Sequence, residues 1–327
     1  MNPRPDDVRT PQPRRPVAAA IAWLAVLPSA GAALAGLLAR WSWLCDSVTA
    51  FVPYAAAAAA GSLAVAAVCR RWVAATLAAL LLGWLGGRAV AEWGGGPRAD
   101  AAADLTVMSA NVKTANRDFE RFTESIRRDP PDVLAVLETD VGWATALDSL
   151  ADLYPHRRGH PQDDNFGLTL LSRRPWSSVR LFRLGEDSVP AIEGTFAEGT
   201  FGRPLTVFAV HPTSPGHAWS WQRRNEDLVF LADRAAATGG PLVVMGDINA
   251  APWSPHYAGL LRRGGLTDGR RRGRGWSFTW NAYHWWLRTP IDSVFTRGAV
   301  EAIRYSTGPA NGSDHFPVRA ELRFVTR

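Results

Sequence analysis

The chain has 327 residues, room for one large domain with appendages. Its net charge of +6 suggests a polyanion partner, but nine of the 36 basic and five of the 30 acidic residues precede Asp104, leaving 27 basic against 25 acidic from Asp104 onward. The excess therefore belongs mostly to the N-terminal part, and two cysteines exclude a disulfide framework.

The chain opens on a polar, Pro-rich tail, residues 1–16, expected to be disordered. Three apolar stretches follow at about 17–38, 49–69 and 73–93, each near the roughly 20 residues a helix needs to cross a bilayer. Arg4, Arg9, Arg14 and Arg15 precede the first and Arg70-Arg71 divide the second from the third, so the positive-inside rule puts both groups in the cytoplasm. Three crossings then leave everything after about Gly94 outside, with the protein a multi-pass component of the plasma membrane. Arg88, inside the third stretch, is expected to face the bundle or reach a headgroup. Cys45 and Cys69 are expected on opposite faces of the bilayer, too far apart to bridge.

Residues 94–103 read as a linker and 104–327 as one catalytic domain. In that domain, apolar runs at 105–110, 133–137, 168–171, 206–210, 242–245, 291–295 and 318–324 read as strands, several buried on both faces. Helical patterns at 119–128 and 221–237 lie between them, so the fold class is α/β or α+β, built in layers. Polar residues recur at the strand ends: Asn111, Glu138, His211 and Asp247 with Asn249 after their runs, Asp292 within the run 291–295, and Asp314 with His315 before the last run. Side chains at successive strand ends gather at one edge of the sheets, where ligand sites of layered folds lie. An acid and an amide one residue apart, and an acid beside an imidazole, suit metal-assisted attack on phosphorus. The acids hold or answer a hard cation, the amide orients water, and the imidazole meets the developing charge.

These strings occur in the order Ser109-Ala110-Asn111, Pro131-Asp132-Val133-Leu134 to Leu137-Glu138, Leu171-Ser172-Arg173, Val210-His211-Pro212, Gly246-Asp247-Ile248-Asn249, Ile291-Asp292-Ser293 and Ser313-Asp314-His315. Over residues 105–325 the chain thereby resembles the endonuclease/exonuclease/phosphatase superfamily of DNase-I-like fold. The resemblance implies a four-layer sandwich, two packed β-sheets flanked by helices. It implies Glu138 and Asp314 as metal ligands with Asn111 near both metal and phosphate, and Mg²⁺ or Mn²⁺ as the cofactor. It implies Asp247 as orienting or deprotonating the attacking water, helped by Asn249. It implies His315, oriented by Asp292, at the phosphoryl group, and His211 on a non-bridging oxygen. Glu193 is the candidate partner behind His211, and Arg288 or Arg297 could instead pair with Asp292. Lys113, the one lysine in the chain, is a candidate for a role near the phosphate.

Three spans followed by such a domain resemble the VanJ-type teicoplanin-resistance membrane proteins, which implies a cell-envelope role. Trp219, Trp221 and Trp285-Trp286 flank the expected site and read either as an interfacial belt or as core. The expected substrate is a lipid-linked phosphate or pyrophosphate, with the bilayer as partner. An anchored extracellular nuclease and a non-catalytic lipid-binding protein are the alternatives. Arg262-Arg263 with Arg270 to Arg274 keeps nucleic acid open as a less favoured partner, a solvated loop being the simpler reading. The sequence does not fix the oligomeric state.

Overall fold

The computed structural model describes residues 14–98, 102–185 and 189–325. The tail expected at 1–16 lies outside the described residues except for its last three, where the first helix begins, and residues 99–101 of the expected linker also lie outside. The chain forms two compact units. One comprises the chain up to Leu37 with Phe51–Ala91, and the other Leu38–Ala50 with Glu92–Arg327.

The first unit is helical: α1 (Arg14–Leu38), then, beyond the short α2 (Trp43–Thr49) that belongs to the second unit, α3 (Val52–Val68) and α4 (Trp72–Ala91). Ala22, Val26, Ala66, Ala74, Ala75 and Ala78 pack together inside it. Leu24, Leu27, Leu34 and Leu80 are exposed on its outside. Small residues within and large apolar ones without is the arrangement that suits a hydrocarbon surround, where close backbone approach drives helix packing. Two helices are long and apolar enough to cross a membrane, Pro16–Leu38 and Trp72–Ala91, and a third is added if α2 and α3 count as one broken span. Arg88 is half-buried, with its guanidinium against Gly36 of α1, so it turns into the bundle.

The second unit begins with α2 and resumes at β1 (Gly94–Gly95). There follow β2 (Leu105–Asn111), α5 (Phe119–Arg128), β3 (Val133–Leu137), α6 (Val141–Asp148), β4 (His156–His160), β5 (Leu168–Ser172), β6 (Ser178–Arg183) and β7 (Pro190–Phe196). Then come α7 (Glu198–Phe201), β8 (Leu205–Val210), α8 (Ala218–Ala237), β9 (Leu242–Asp247), α9 (Pro255–Gly264), β10 (Thr267–Asp268), β11 (Arg274–Gly275), β12 (Asp292–Arg297), β13 (Val300–Thr307) and β14 (Val318–Phe324). One six-stranded sheet has the order β13-β14-β2-β3-β5-β4 and the other β10-β12-β9-β8-β7-β6. Only β2/β3 and β8/β9 pair in parallel within these sheets. Both pairs are joined by a helical crossover, α5 in one and α8 in the other, as parallel pairing requires.

Strand alternation distributes the core into three clusters. Leu105, Val107, Val133, Ala135, Val207, Ala209, Val243, Met245 and Val294 face the space between the sheets. Met108, Ala110, Leu134 and Val136 face outward onto Phe122 and Ile126 of α5 and Trp143 of α6. Phe208, Leu242, Val244 and Phe295 face outward onto Leu228 and Leu231 of α8 and Leu260 of α9. The result is the four-layer sandwich of DNase-I-like proteins. The first residues of the expected linker are not free: β1 pairs with β11, and Trp93 meets Trp276 edge-on at 4.7 Å. Cys45 and Cys69 are both free thiols.

Candidate active site

The same alternation that fills the inter-sheet core delivers the polar residues. Asn111 continues the inward parity of Leu105 and Val107, and His211 that of Val207 and Ala209. Asp247 continues that of Val243 and Met245, and Asp292 shares the inward face with Val294. Each is buried at the strand end. The inner faces of both sheets therefore converge on one polar cluster at one end of the sandwich. Glu138 would point outward by parity, but its backbone turns into the left-handed region (φ 62°) and carries the carboxylate back to the cluster. Gly246 brings β8 and β9 close together, because a Cβ there would stand 1.8 Å from the Val210 carbonyl oxygen. That approach sets Asp247 beside His211.

Asp247 is the hub. Its Oδ2 lies 3.6 Å from His211 Nε2 and 3.7 Å from His315 Nε2, and it accepts from Asn111 Nδ2 at 3.3 Å. Its Oδ1 accepts from the Asn249 amide at 2.9 Å. Asn249, itself at φ 53°, donates through Nδ2 to the Pro212 carbonyl at 3.0 Å. Burial and the charge of Asp292 push the Asp247 carboxyl up to about 6, against the pull of His315 and His211. His315 Nδ1 and Asp292 Oδ2 are 2.9 Å apart. Burial opposes charge on this imidazole, but Asp292 and Asp247 outweigh it and raise the group to about 10. Asp292 is held in turn by Thr279 Oγ1, which accepts from its amide at 3.2 Å, and by Tyr305, whose hydroxyl donates to its carbonyl at 3.0 Å.

At the more open side, Asn111 Nδ2 donates to Glu138 Oε1 at 2.8 Å, and the Thr114 amide donates to Glu138 Oε2 at 3.2 Å. Lys113 Nζ is 3.4 Å from Asp314 Oδ2 and 5.0 Å from the centre of the Tyr283 ring. Ser313 joins the two edges: its hydroxyl donates to the Asn111 carbonyl at 2.7 Å and accepts from the His315 amide at 3.1 Å. Asn111, Glu138, His211, Asp247, Asn249, Asp292, Asp314 and His315 are thus brought into one connected set. Asp247, Asp292 and His315 each bring a ligand atom within 4.8 Å of the others and could hold a metal ion. The half-buried carboxylates of Glu138 and Asp314, together with the buried Asn111 amide, offer hard oxygen donors, chemistry that fits a divalent cation such as Mg²⁺.

One expectation changes, and three open alternatives are resolved. Glu193 does not stand behind His211. It accepts from Arg180 at 2.8 Å and Arg234 at 2.6 Å, and His211 Nδ1 has no hydrogen-bond partner among the described residues. Trp221 is buried, with its indole N–H on Asp46, while Trp219, Trp285 and Trp286 are exposed. The arginine run is not a free basic loop: Arg263 pairs with Asp233, and buried Arg270 with Asp268 and Glu92. Arg288 and Arg297 go to backbone carbonyls, of Ala282 and of Thr238 and Ala236, leaving Asp292 to His315. Thr114, Thr279 and Tyr305 went unremarked in the sequence, since nothing in their local pattern separates them from structural residues.

Residues 108–315 match the model of the Endonuclease/Exonuclease/phosphatase family. Solved structures of similar fold include an endonuclease/exonuclease/phosphatase from Beutenbergia cavernae DSM 12333, 20% identical with a TM-score of 0.55, over 68% of this chain and 72% of that one. A humanized D. rerio TDP2 is 15% identical with a TM-score of 0.55, over 67% of this chain and 98% of that one. The 3′ phosphatase NExo from Neisseria, bound to product DNA hairpin, is 19% identical with a TM-score of 0.54, over 67% of this chain and 100% of that one. At such identities the likeness speaks for the fold alone. A search of curated proteins finds no match. With well over half of its length matched and the strand-end cluster in place, the chain belongs to the Endonuclease/Exonuclease/phosphatase family of metal-dependent enzymes that act on phosphate esters.

Proposed function

We propose that this protein is a membrane-anchored phosphoesterase that uses Mg²⁺ or Mn²⁺ to cleave a phosphate or pyrophosphate carried on a lipid, with its active site outside the cytoplasm. The observation that carries this reading is the segment Tyr283–Leu287. The Ala282 amide donates to the Asp314 carbonyl at 2.7 Å, so the segment is bonded directly to the strand end bearing Asp314 and His315. Tyr283, Trp285, Trp286 and Leu287 are all exposed. An aromatic rim beside a phosphoester site, in a chain that also carries apolar helices, suits a substrate presented at a membrane–water interface. Tethering would raise the effective concentration of such a substrate.

In this reading Glu138, Asp314 and Asn111 hold the cation, since a protonated His315 has no lone pair to offer it. When bound, the cation neutralises charge on the phosphoryl oxygens and lowers the pKa of a bound water. Asp247 orients the attacking water and takes its proton, with Asn249 fixing the carboxylate. As the water oxygen bonds to phosphorus and the ester or anhydride oxygen leaves, His315, charged and oriented by Asp292, stabilises the charge on the phosphoryl group. His211 binds a non-bridging oxygen. We extend the reading to the lipid carriers of wall synthesis and to glycopeptide resistance because three apolar stretches before such a domain resemble VanJ-type proteins. A nuclease reading has the DNA-bound Neisseria neighbour in its favour. Against it, Arg263 and Arg270 are already paired with acids.

Phosphate release from undecaprenyl pyrophosphate and nicking of plasmid DNA by detergent-purified protein with Mg²⁺, each run beside Asp247→Ala, test the substrate. Release from the lipid that the substitution abolishes is expected; activity on DNA alone would make this an anchored nuclease. A reporter fused after Arg327 tests the location and is expected to behave as extracytoplasmic. A cytoplasmic pattern would reverse the topology.

A further inference from the structure

The connection between the first two apolar stretches carries a single acid, Asp46, and it is buried in the second unit. Its Oδ1 accepts from Ser254 Oγ at 2.7 Å, and its Oδ2 from Trp221 Nε1 at 2.9 Å and Arg224 Nη2 at 2.5 Å. Arg224 is 2% exposed and has a second task. Its Nε donates to Asn225 Oδ1 at 2.8 Å, and its Nη1 donates to the carbonyl oxygen of Asn249. Asn249 is the residue whose amide holds Asp247 Oδ1. A few residues before Asp46, Trp43 Nε1 donates to the Pro215 carbonyl at 2.9 Å, in the loop that follows His211. Residues 38–50 therefore bond to the loop beyond His211 directly and to the loop at Asn249 through Arg224.

We propose that Asp46 and Arg224 are positioning residues of the active site. By this proposal the loop between the first two apolar stretches is a strut of the catalytic unit that fixes Asn249 and, through it, the Asp247 carboxylate. Packing alone gives no reason for a buried ion pair here, because apolar residues of similar volume usually serve as well or better. A guanidinium does what an apolar side chain or a lysine cannot. Its planar fork serves a carboxylate on one arm and a backbone carbonyl on the other. The carbonyl it serves belongs to a residue held in the left-handed region, where a non-glycine backbone persists only if its surroundings enforce it. The inference rests on the phosphoester chemistry of the site and is independent of which ester is cleaved.

The test uses the full-length protein in detergent with Mg²⁺ and bis(p-nitrophenyl) phosphate as the probe, so its outcome does not depend on a lipid substrate. Asp46→Asn and Arg224→Lys are expected to lower kcat about 10–100-fold, the scale of an ångström-size misplacement, with KM changing less than about threefold. The double variant Asp46→Leu with Arg224→Met separates positioning from folding. It is expected to regain the melting temperature of the parent and to remain low in kcat. Hydrogen exchange supplies a readout that needs no turnover: in Asp46→Asn the amides of residues 211–217 and 247–254 are expected to exchange faster while those of β3 and β5 do not. Recovery of kcat together with melting temperature in the double variant would overturn the proposal, as would unchanged exchange in both loops.

Discussion

Asp247→Asn is expected to lower kcat about 10³-fold, within the range for loss of a positioned general base and equivalent to about 4 kcal/mol of barrier. The side chains are nearly isosteric, so the loss would be chemical. Oδ2 of Asp247 faces three nitrogens, of His211, His315 and Asn111. An amide there cannot accept a proton from water, and whichever way it turns it sets an N–H against a group that now donates. The pH profile supplies the second sign. The wild-type carboxyl, lifted to about 6 by burial and by Asp292, must be ionised to act. Activity should therefore fall as pH drops through about 6 in the parent, and that limb should vanish from the residual activity of the variant. Survival of the limb would move the base elsewhere.

Asp292→Asn is expected to lower kcat about 10²-fold, at the lower end of the same range, and to act on the opposite limb. His315 stays charged to about pH 10 because Asp292 and Asp247 overcome the cost of burying an imidazolium. Removing one of those charges lowers the pKa of a group needed as a cation. The alkaline fall in activity should then move down by about 1–3 in pH, the usual effect of losing a close opposite charge. An Asn can still accept from Nδ1, so ring orientation is largely kept and the electrostatic part is isolated. Paired pH–rate profiles with Mg²⁺ saturating would decide it, and an unshifted alkaline limb would remove His315 from the role of charged partner.

Legibility in the sequence follows the strand period. Asn111, His211 and Asp247 continue the inward parity of the apolar runs before them, so the pattern that names the core also names the site. Glu138 breaks that parity and is reached only through its neighbours' motif, because a positive φ leaves no mark at a glutamate. Glu193 was readable as a candidate behind His211 but not as the partner of Arg180 and Arg234, which come from a neighbouring strand and from α8. Trp221 shows the same limit. Spacing puts it close to His211, but only the fold shows its indole turned inward to Asp46. Asp46 and Arg224 were illegible for a plainer reason. They lie 178 positions apart, one in a short connection and one on a helix face where arginines are ordinary.

The division of the catalytic unit into two stretches of chain also bears on the proposed anchoring. Leu38–Ala50 and Glu92–Arg327 pack into a single unit, so both stretches must end on the same side of any bilayer that the intervening helices enter. Under the proposed anchoring, residues 51–91 would then contribute an even number of crossings, whatever the distribution of arginines. The order of synthesis adds a second condition. The short stretch is made first and has to wait, its acid unpaired, until Arg224 has been translated and delivered to the same compartment. If the proposed anchoring holds, a chain that inserts with odd parity would strand Asp46 and Arg224 on opposite faces, and completion of the enzyme would act as a check on its own membrane insertion.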